Sequence, residues 1–232
     1  MSNDMNRRDF VKASAATGAV LMMGTLAPAL AEELKPIQLQ RPQPGSGNPL
    51  MQVLWKRQSA RQFSPEPLPV EVLSNLLWAA FGINRPDGKR TAPTANNKQE
   101  MDIYVATAKG LYLYDATANL LNPVLADDIR GQTGIPAQPY VKDAAVNLVY
   151  VADYSKMKNY FFGTVRDDVK DLYTAAATGL ISGNVYLFCA AEGLATVVRA
   201  EIDRPALASV MKLRPDQKII LAQSVGYPKK TS

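Results

Sequence analysis

Between Pro67 and Gly82 the apolar residues Leu73, Leu76, Leu77 and Ala80 recur at i, i+3, i+4 and i+7, the stripe of a core-facing helix. Pro67-Leu68-Pro69 opens that helix and Gly82 closes it. Beyond a polar loop over 84–98, turning at Arg85-Pro86-Asp87-Gly88, the pattern shortens. Asp102 to Ala106 and Leu111 to Tyr114 read as two strands joined at Lys109-Gly110. Ala144 to Ala152 is a continuous apolar run, a buried strand, while Thr196 to Arg199 and Lys218 to Tyr227 supply two more. Three shorter helices are predicted, over 49–62 with Leu50, Val53 and Leu54 on one side, over 119–129, and over 205–211. The dominant element is the Ala-rich stretch from Asp168 to Glu192, stopped by Gly193. Its small residues Ala175, Gly179, Gly183 and Ala190 would admit another helix at close range. Helices and strands mix without repeating βαβ units, which predicts an α+β fold with a central, mostly antiparallel sheet and a long core helix.

The N-terminus follows a different logic. Arg7 and Arg8 stand in Asn6-Arg7-Arg8-Asp9-Phe10-Val11-Lys12, ahead of an apolar run from Ala13 to Leu30 and the small-residue motif Ala29-Leu30-Ala31. This is the layout of a twin-arginine export signal, with cleavage expected near Ala31 and a periplasmic or envelope destination. The run is too rich in Ala, Thr and Gly for a strong spanning helix. Because that route carries folded cargo, it suggests a cofactor loaded before export. The Pro/Gln/Gly-rich stretch 32–48 reads as an arm, and 49–232 as one domain.

Composition then narrows the chemistry. The chain has no histidine and one cysteine, which excludes His acid–base catalysis, His-ligated haem, most catalytic zinc sites and Cys-x-x-Cys redox motifs. Cys189 lies in the apolar run Val185 to Ala191 and is expected to be a core thiol. The net charge of +5 is modest and its cations are dispersed, so nucleic acid is not an expected partner. An organic cofactor, or none, remains.

Several segments carry a resemblance. They are Arg57-Gln58-Ser59-Ala60-Arg61-Gln62-Phe63, Leu73 to Gly82, Arg90-Thr91-Ala92-Pro93-Thr94-Ala95-Asn96-Asn97-Lys98-Gln99, Gly183 to Leu187 ahead of Glu192-Gly193-Leu194, and Val225-Gly226-Tyr227-Pro228. In this order they resemble the nitroreductase family of flavoproteins, in particular its thiazoline/oxazoline-dehydrogenase-like branch. The resemblance implies a nitroreductase-like fold and a homodimer holding FMN at the subunit interfaces. It places Arg57, Gln58 and Ser59 on the cofactor's ribityl phosphate, joined by Lys229 near the C-terminus. Arg61 falls beside the pyrimidine edge, where a cation would stabilise charge developing during reduction, and is the catalytic candidate. Asn97 and Gln99 fall on the ring's polar edge, and Pro93 and Thr94 reach it from the neighbouring subunit. Ala200 and Glu201 occupy the place near N5 where many relatives carry Glu-Gly, and Glu100-Met101 replaces a common Pro-Trp.

The implied activity is hydride or two-electron transfer through flavin N5 to a small nitro or quinone acceptor, from an electron donor that the sequence does not identify. The alternatives are an azoline-type desaturating dehydrogenase and a non-catalytic flavin-binding protein. For Arg61 the competing role is a salt bridge with Glu66 or Glu71.

Overall fold

The computed structural model describes residues 49–160 and 163–230. The export signal and the arm over 32–48 lie outside them. A helix α1 (Pro49–Lys56) and a helix α2 (Val70–Phe81) precede the sheet. Strands β1 (Met101–Thr107), β2 (Gly110–Asp115) and β3 (Leu120–Leu125) follow. After a one-turn helix α3 (Tyr140–Asp143) come β4 (Val146–Asp153) and a small hairpin of β5 (Asn159–Tyr160) and β6 (Gly163–Thr164). The chain closes with α4 (Asp167–Glu192), β7 (Ala195–Arg199), α5 (Arg204–Val210) and β8 (Gln217–Gly226). The main sheet has the order β3-β2-β1-β4-β8-β7, and every neighbouring pair is antiparallel.

Both faces of this sheet are covered, which is why β4 is a continuous apolar run: all eight of its residues are buried. On one face Ile103, Val105, Leu148 and Tyr150 pack with Leu76, Leu77, Ile181 and Val185 from α2 and α4. On the other, Tyr104, Val149, Val151 and Ala222 meet Leu207 and Met211 around α5, with Ile129. The long helix is apolar enough to cross a membrane by length and composition, but Thr174, Ala177, Ile181, Val185 and Cys189 are sunk in this core. It ends as predicted at Gly193, whose φ of +69° is the left-handed stop that glycine accepts without strain.

Two expectations are corrected. The segment over 119–129 is not a helix; its first half is the edge strand β3. Pro123 explains the outcome, since a proline inside a helix costs about 3 kcal/mol through its missing N–H and ring clash. On a sheet edge that N–H has no ladder to serve, and Pro123 lies opposite Tyr112 beside a register shift. Gly110 makes room for the strand, because a Cβ there would sit 2.3 Å from the Leu125 carbonyl oxygen. The second correction is the first helix, which stops at Lys56 rather than running to Gln62. None of its residues is buried, and the chain beyond it is captured by the end of the sheet.

Candidate functional site

After α1 the backbone runs past β7. Ala60 N–H donates to the Thr196 carbonyl at 2.9 Å, Ser64 N–H to Tyr227 at 2.8 Å, and Lys229 N–H to Gln62 at 3.2 Å. An isolated bridge pairs Phe63 with Pro228. This strap therefore gathers Arg57, Gln58, Ser59, Arg61 and Lys229 at one end of the sheet. Arg57 N–H still donates to the Val53 carbonyl at 3.0 Å, so the strap begins at the helix end; Arg57 and Ser59 both meet Tyr186, and Arg61 follows at the cavity beside Ala200.

Tyr186 on α4 fixes that arrangement. Its hydroxyl accepts from Val198 N–H at 3.0 Å and lies 2.8 Å from Ser59 Oγ. The Arg57 guanidinium stands 5.4 Å from the centre of its ring, a cation–π distance. If Tyr186 passes its own proton to Ser59 Oγ, the Ser59 hydroxyl is left able to donate outward. Among the described residues Arg57, Arg61 and Lys229 pair with no carboxylate; the salt bridge from Arg61 to Glu66 or Glu71 is not formed. Next to Arg61 a cavity of about 380 Å³ is lined by Gln138, Tyr140, Arg199, Ala200 and Glu201. The Glu201 carboxylate accepts from Gln138 Nε2 at 3.3 Å and is drawn to that side. A larger, open cavity of about 740 Å³ takes in Lys229 with Phe63, Tyr227, Glu66 and Glu192.

The remaining predicted residues form a second, separate set. Thr94 Oγ1 accepts from Gln99 N–H at 2.8 Å, closing the loop around a single 3₁₀ turn, Ala95–Asn97. Asn96, Asn97 and Gln99 all have positive φ, at 51°, 52° and 49°. So dense a run of left-handed non-glycine residues is costly, and it persists only where surrounding bonds over-determine it. Gln99 supplies those bonds: Oε1 accepts from Arg90 Nε at 2.7 Å, and Nε2 donates to the Gly88 carbonyl at 3.0 Å and to Asn97 Oδ1 at 3.2 Å. Pro93 stays exposed. Register separates the two sets. Gln99 leads into β1, where Met101 pairs with Ala152, a neighbour of Lys218; Lys229 lies beyond Gly226, at the other end of the ten-residue β8. Among the described residues no hydrogen bond joins them.

Three buried charged residues went unrecognised as such in the sequence: Asp153, which pairs with Arg214, and two without a charged partner among the described residues, Glu100 and Arg199. Glu100 is fully buried, and neither carboxylate oxygen has a hydrogen-bond partner. Burial raises its pKa, against weaker opposing influences from the nearby Thr94 hydroxyl, its own N–H and the Lys156 charge. Arg199 is 5% exposed. The signal for Glu100 was present, since a carboxylate stood where relatives carry proline. Arg199, ending the apolar run Ala195 to Val198, looked like an ordinary strand-end charge. Cys189 is buried as expected, and burial pushes its thiol up to about 12, far from reactive.

The nitroreductase family profile matches residues 54–227, and the signal-sequence profile of the twin-arginine translocation pathway matches residues 4–24. A protein of Methanocaldococcus jannaschii assigned as a nitroreductase is 25% identical over 173 residues, 71% of this chain and 85% of its own. A solved structure from Ralstonia eutropha, likewise assigned, is 40% identical with a TM-score of 0.73, covering 83% of this chain and 89% of the other. The NADPH:FMN oxidoreductase of Vibrio harveyi shares the fold at 17% identity, with a TM-score of 0.60 over 79% of this chain and 70% of its own.

Proposed function

The chain belongs to the nitroreductase family and carries a twin-arginine export signal, and from that premise we propose an exported, FMN-dependent oxidoreductase acting on small nitro or quinone compounds. The observation that carries the reading is the strap: Arg57 and Ser59 held against Tyr186, with Arg61 next along it, and neither guanidinium paired with a carboxylate among the described residues. Cations that fold without a carboxylate partner fit a cofactor that brings its own negative charge.

Bound FMN would supply hydride or two-electron transfer through its N5 atom; the protein would bind, orient and tune it. Arg57, Gln58, Ser59 and Lys229 hold the phosphate end, where a guanidinium can grip two oxygens at once. Arg61 would stand at the pyrimidine edge, where its charge would offset negative charge developing during reduction. Ala200 and Glu201 would face N5, and the Glu201 side chain is turned toward Gln138. Asn97 addresses the polar edge, Gln99 holds the Asn97 amide in place, and Pro93 and Thr94 close the site from a second subunit.

A homodimer fits the surface. Trp78, Leu172 and Leu180 are 49%, 66% and 49% exposed, and Leu54 and Trp55 of α1 are also open to solvent. Gly179 and Gly183 leave open space on α4 where a partner helix could approach. Exposed apolar side chains of this kind are what a subunit interface would cover. Signal cleavage near Ala31 would release the protein into the periplasm with its cofactor already loaded. The test is direct. Protein recovered from the envelope fraction should show flavin absorbance, and the bands should bleach with a reduced nicotinamide and recover when a nitroaromatic or quinone is added. Colourless protein that gains no absorbance from added FMN would refute the proposal.

A further inference from the structure

The cavity beside Arg61 is underlain by a charge that the chain does not neutralise. Arg199 leaves β7 opposite Ala222 and reaches under the 130–145 segment. Its Nη1 donates to the Thr133 carbonyl at 2.6 Å, and its Nη2 to Thr133 Oγ1 at 3.3 Å and Asn147 Oδ1 at 3.1 Å. Asn147 is itself held, donating to the Val141 carbonyl at 2.8 Å and accepting from Ser224 Oγ at 2.6 Å. Every acceptor in this network is neutral. Among the described residues no carboxylate pairs with the guanidinium, and its Nε is buried without a partner, as is Gln138 Oε1. Burial pulls the Arg199 pKa down to about 10, which still leaves it cationic at neutral pH.

Isolated buried charges cost several kcal/mol even after relaxation, so a chain that retains one needs a compensating anion or tolerates the penalty. Neutral acceptors lower that penalty but leave the positive potential in place. Shielded from water, that potential is felt across the cavity wall far more strongly than the field of an exposed cation. Glu201, at the rim, is solvent-exposed and bonded to Gln138, so its opposing charge is the better screened.

We infer that Arg199 is a tuning residue that makes this cavity bind the reduced, anionic flavin more tightly than the oxidised, neutral one. The inference rests on the FMN reading above. The charge balance gives a group of this kind something to act on: a hydride donor of the reduced-nicotinamide class gives up H⁻ and becomes one unit more positive. The flavin ring that accepts it becomes one unit more negative, with no proton consumed. A fixed buried cation favours that product without moving.

The experiment measures the midpoint potential of bound FMN, with its dissociation constant, for the wild type, Arg199→Met and Arg199→Lys. Arg199→Met should lower the potential by about 30 mV or more, which for a two-electron couple is a tenfold loss of preference for the reduced form. Arg199→Lys, which keeps the charge and loses the fork, should return most of that shift. If Arg199→Met yields no folded protein by circular dichroism, Arg199→Gln is read against the same criterion. FMN bound at unchanged potential in the charge-free variants overturns the inference and leaves the FMN assignment standing. An equal fall in the Met and Lys variants assigns Arg199 a structural role and also overturns it. A wild-type protein that takes up no FMN overturns both.

Discussion

The two predicted halves of the site are built in opposite ways. The strap from Arg57 to Arg61 is held by its backbone and by Tyr186, and its cations end in solvent with no acidic partner. The loop from Thr94 to Gln99 spends its polar groups on itself, with both ends of the Gln99 amide bonded within the chain. One half keeps its charged groups free of acidic partners among the described residues, while the other has its amide groups bonded within the chain. That difference suits a charged phosphate on the first side, where long side chains must close on an anion. A flat polar ring edge on the second rewards groups fixed in advance.

The harshest way to break the contrast is to strip the strap. Arg57→Ala with Arg61→Ala should abolish FMN retention through gel filtration while leaving the circular dichroism spectrum intact; flavin absorbance at the wild-type ratio would show that the phosphate end lies elsewhere. Next comes a substitution that touches neither half. Leu180→Glu places a charge on the exposed face of α4, and, if the proposed homodimer completes the site, should convert dimer to monomer by light scattering and weaken FMN binding by about a hundredfold. A monomer with undiminished affinity would mean that one chain suffices.

The third test is aimed at the self-bonded loop. Gln99→Ala leaves the Arg90 guanidinium short of one acceptor and frees Asn97. It should cost about 1–3 kcal/mol of stability in urea melts, the usual penalty for an unpaired buried partner, and weaken FMN binding less than the strap double variant. The smallest effect concerns Glu100, a buried carboxylate next to this loop without a hydrogen-bond partner among the described residues. Its carboxyl pKa is raised by burial above the unfolded value, so the protonated form favours the fold. The stability this supplies is full below the unfolded Glu range and is lost as pH rises through the folded pKa. Glu100→Gln should therefore melt higher than the wild type at pH 7, with the gap closing toward pH 4. An equal gap at both pH values would point to packing rather than charge.

Much of this molecule was readable from periodicity. The stripe Leu73, Leu76, Leu77, Ala80, the β1–β2 hairpin, the buried run of β4 and the long helix ended by Gly193 all lie where pattern and punctuation put them. The edge strand β3 was misread because its leucines suit either element; the edge position that tolerates Pro123 is a property of the assembled sheet. The strap was legible as Arg-x-Ser-x-Arg, but only through family resemblance did it acquire a ligand.

By itself, the sequence determined the local elements, the export signal and the absence of histidine chemistry, because each depends on residue type and near-neighbour spacing. Tertiary structure alone decided which charges are buried and which polar groups are already spent. Arg199 is a strand-end cation in one dimension; it becomes an uncompensated interior charge only when the 130–145 segment closes over it and offers neutral acceptors. Gln99 likewise turned out to be the clasp of its own loop because Arg90, Gly88 and Asn97 converge on one amide. Desolvation and hydrogen-bond saturation depend on what the fold brings within a few ångströms, and residues far apart in the chain set both.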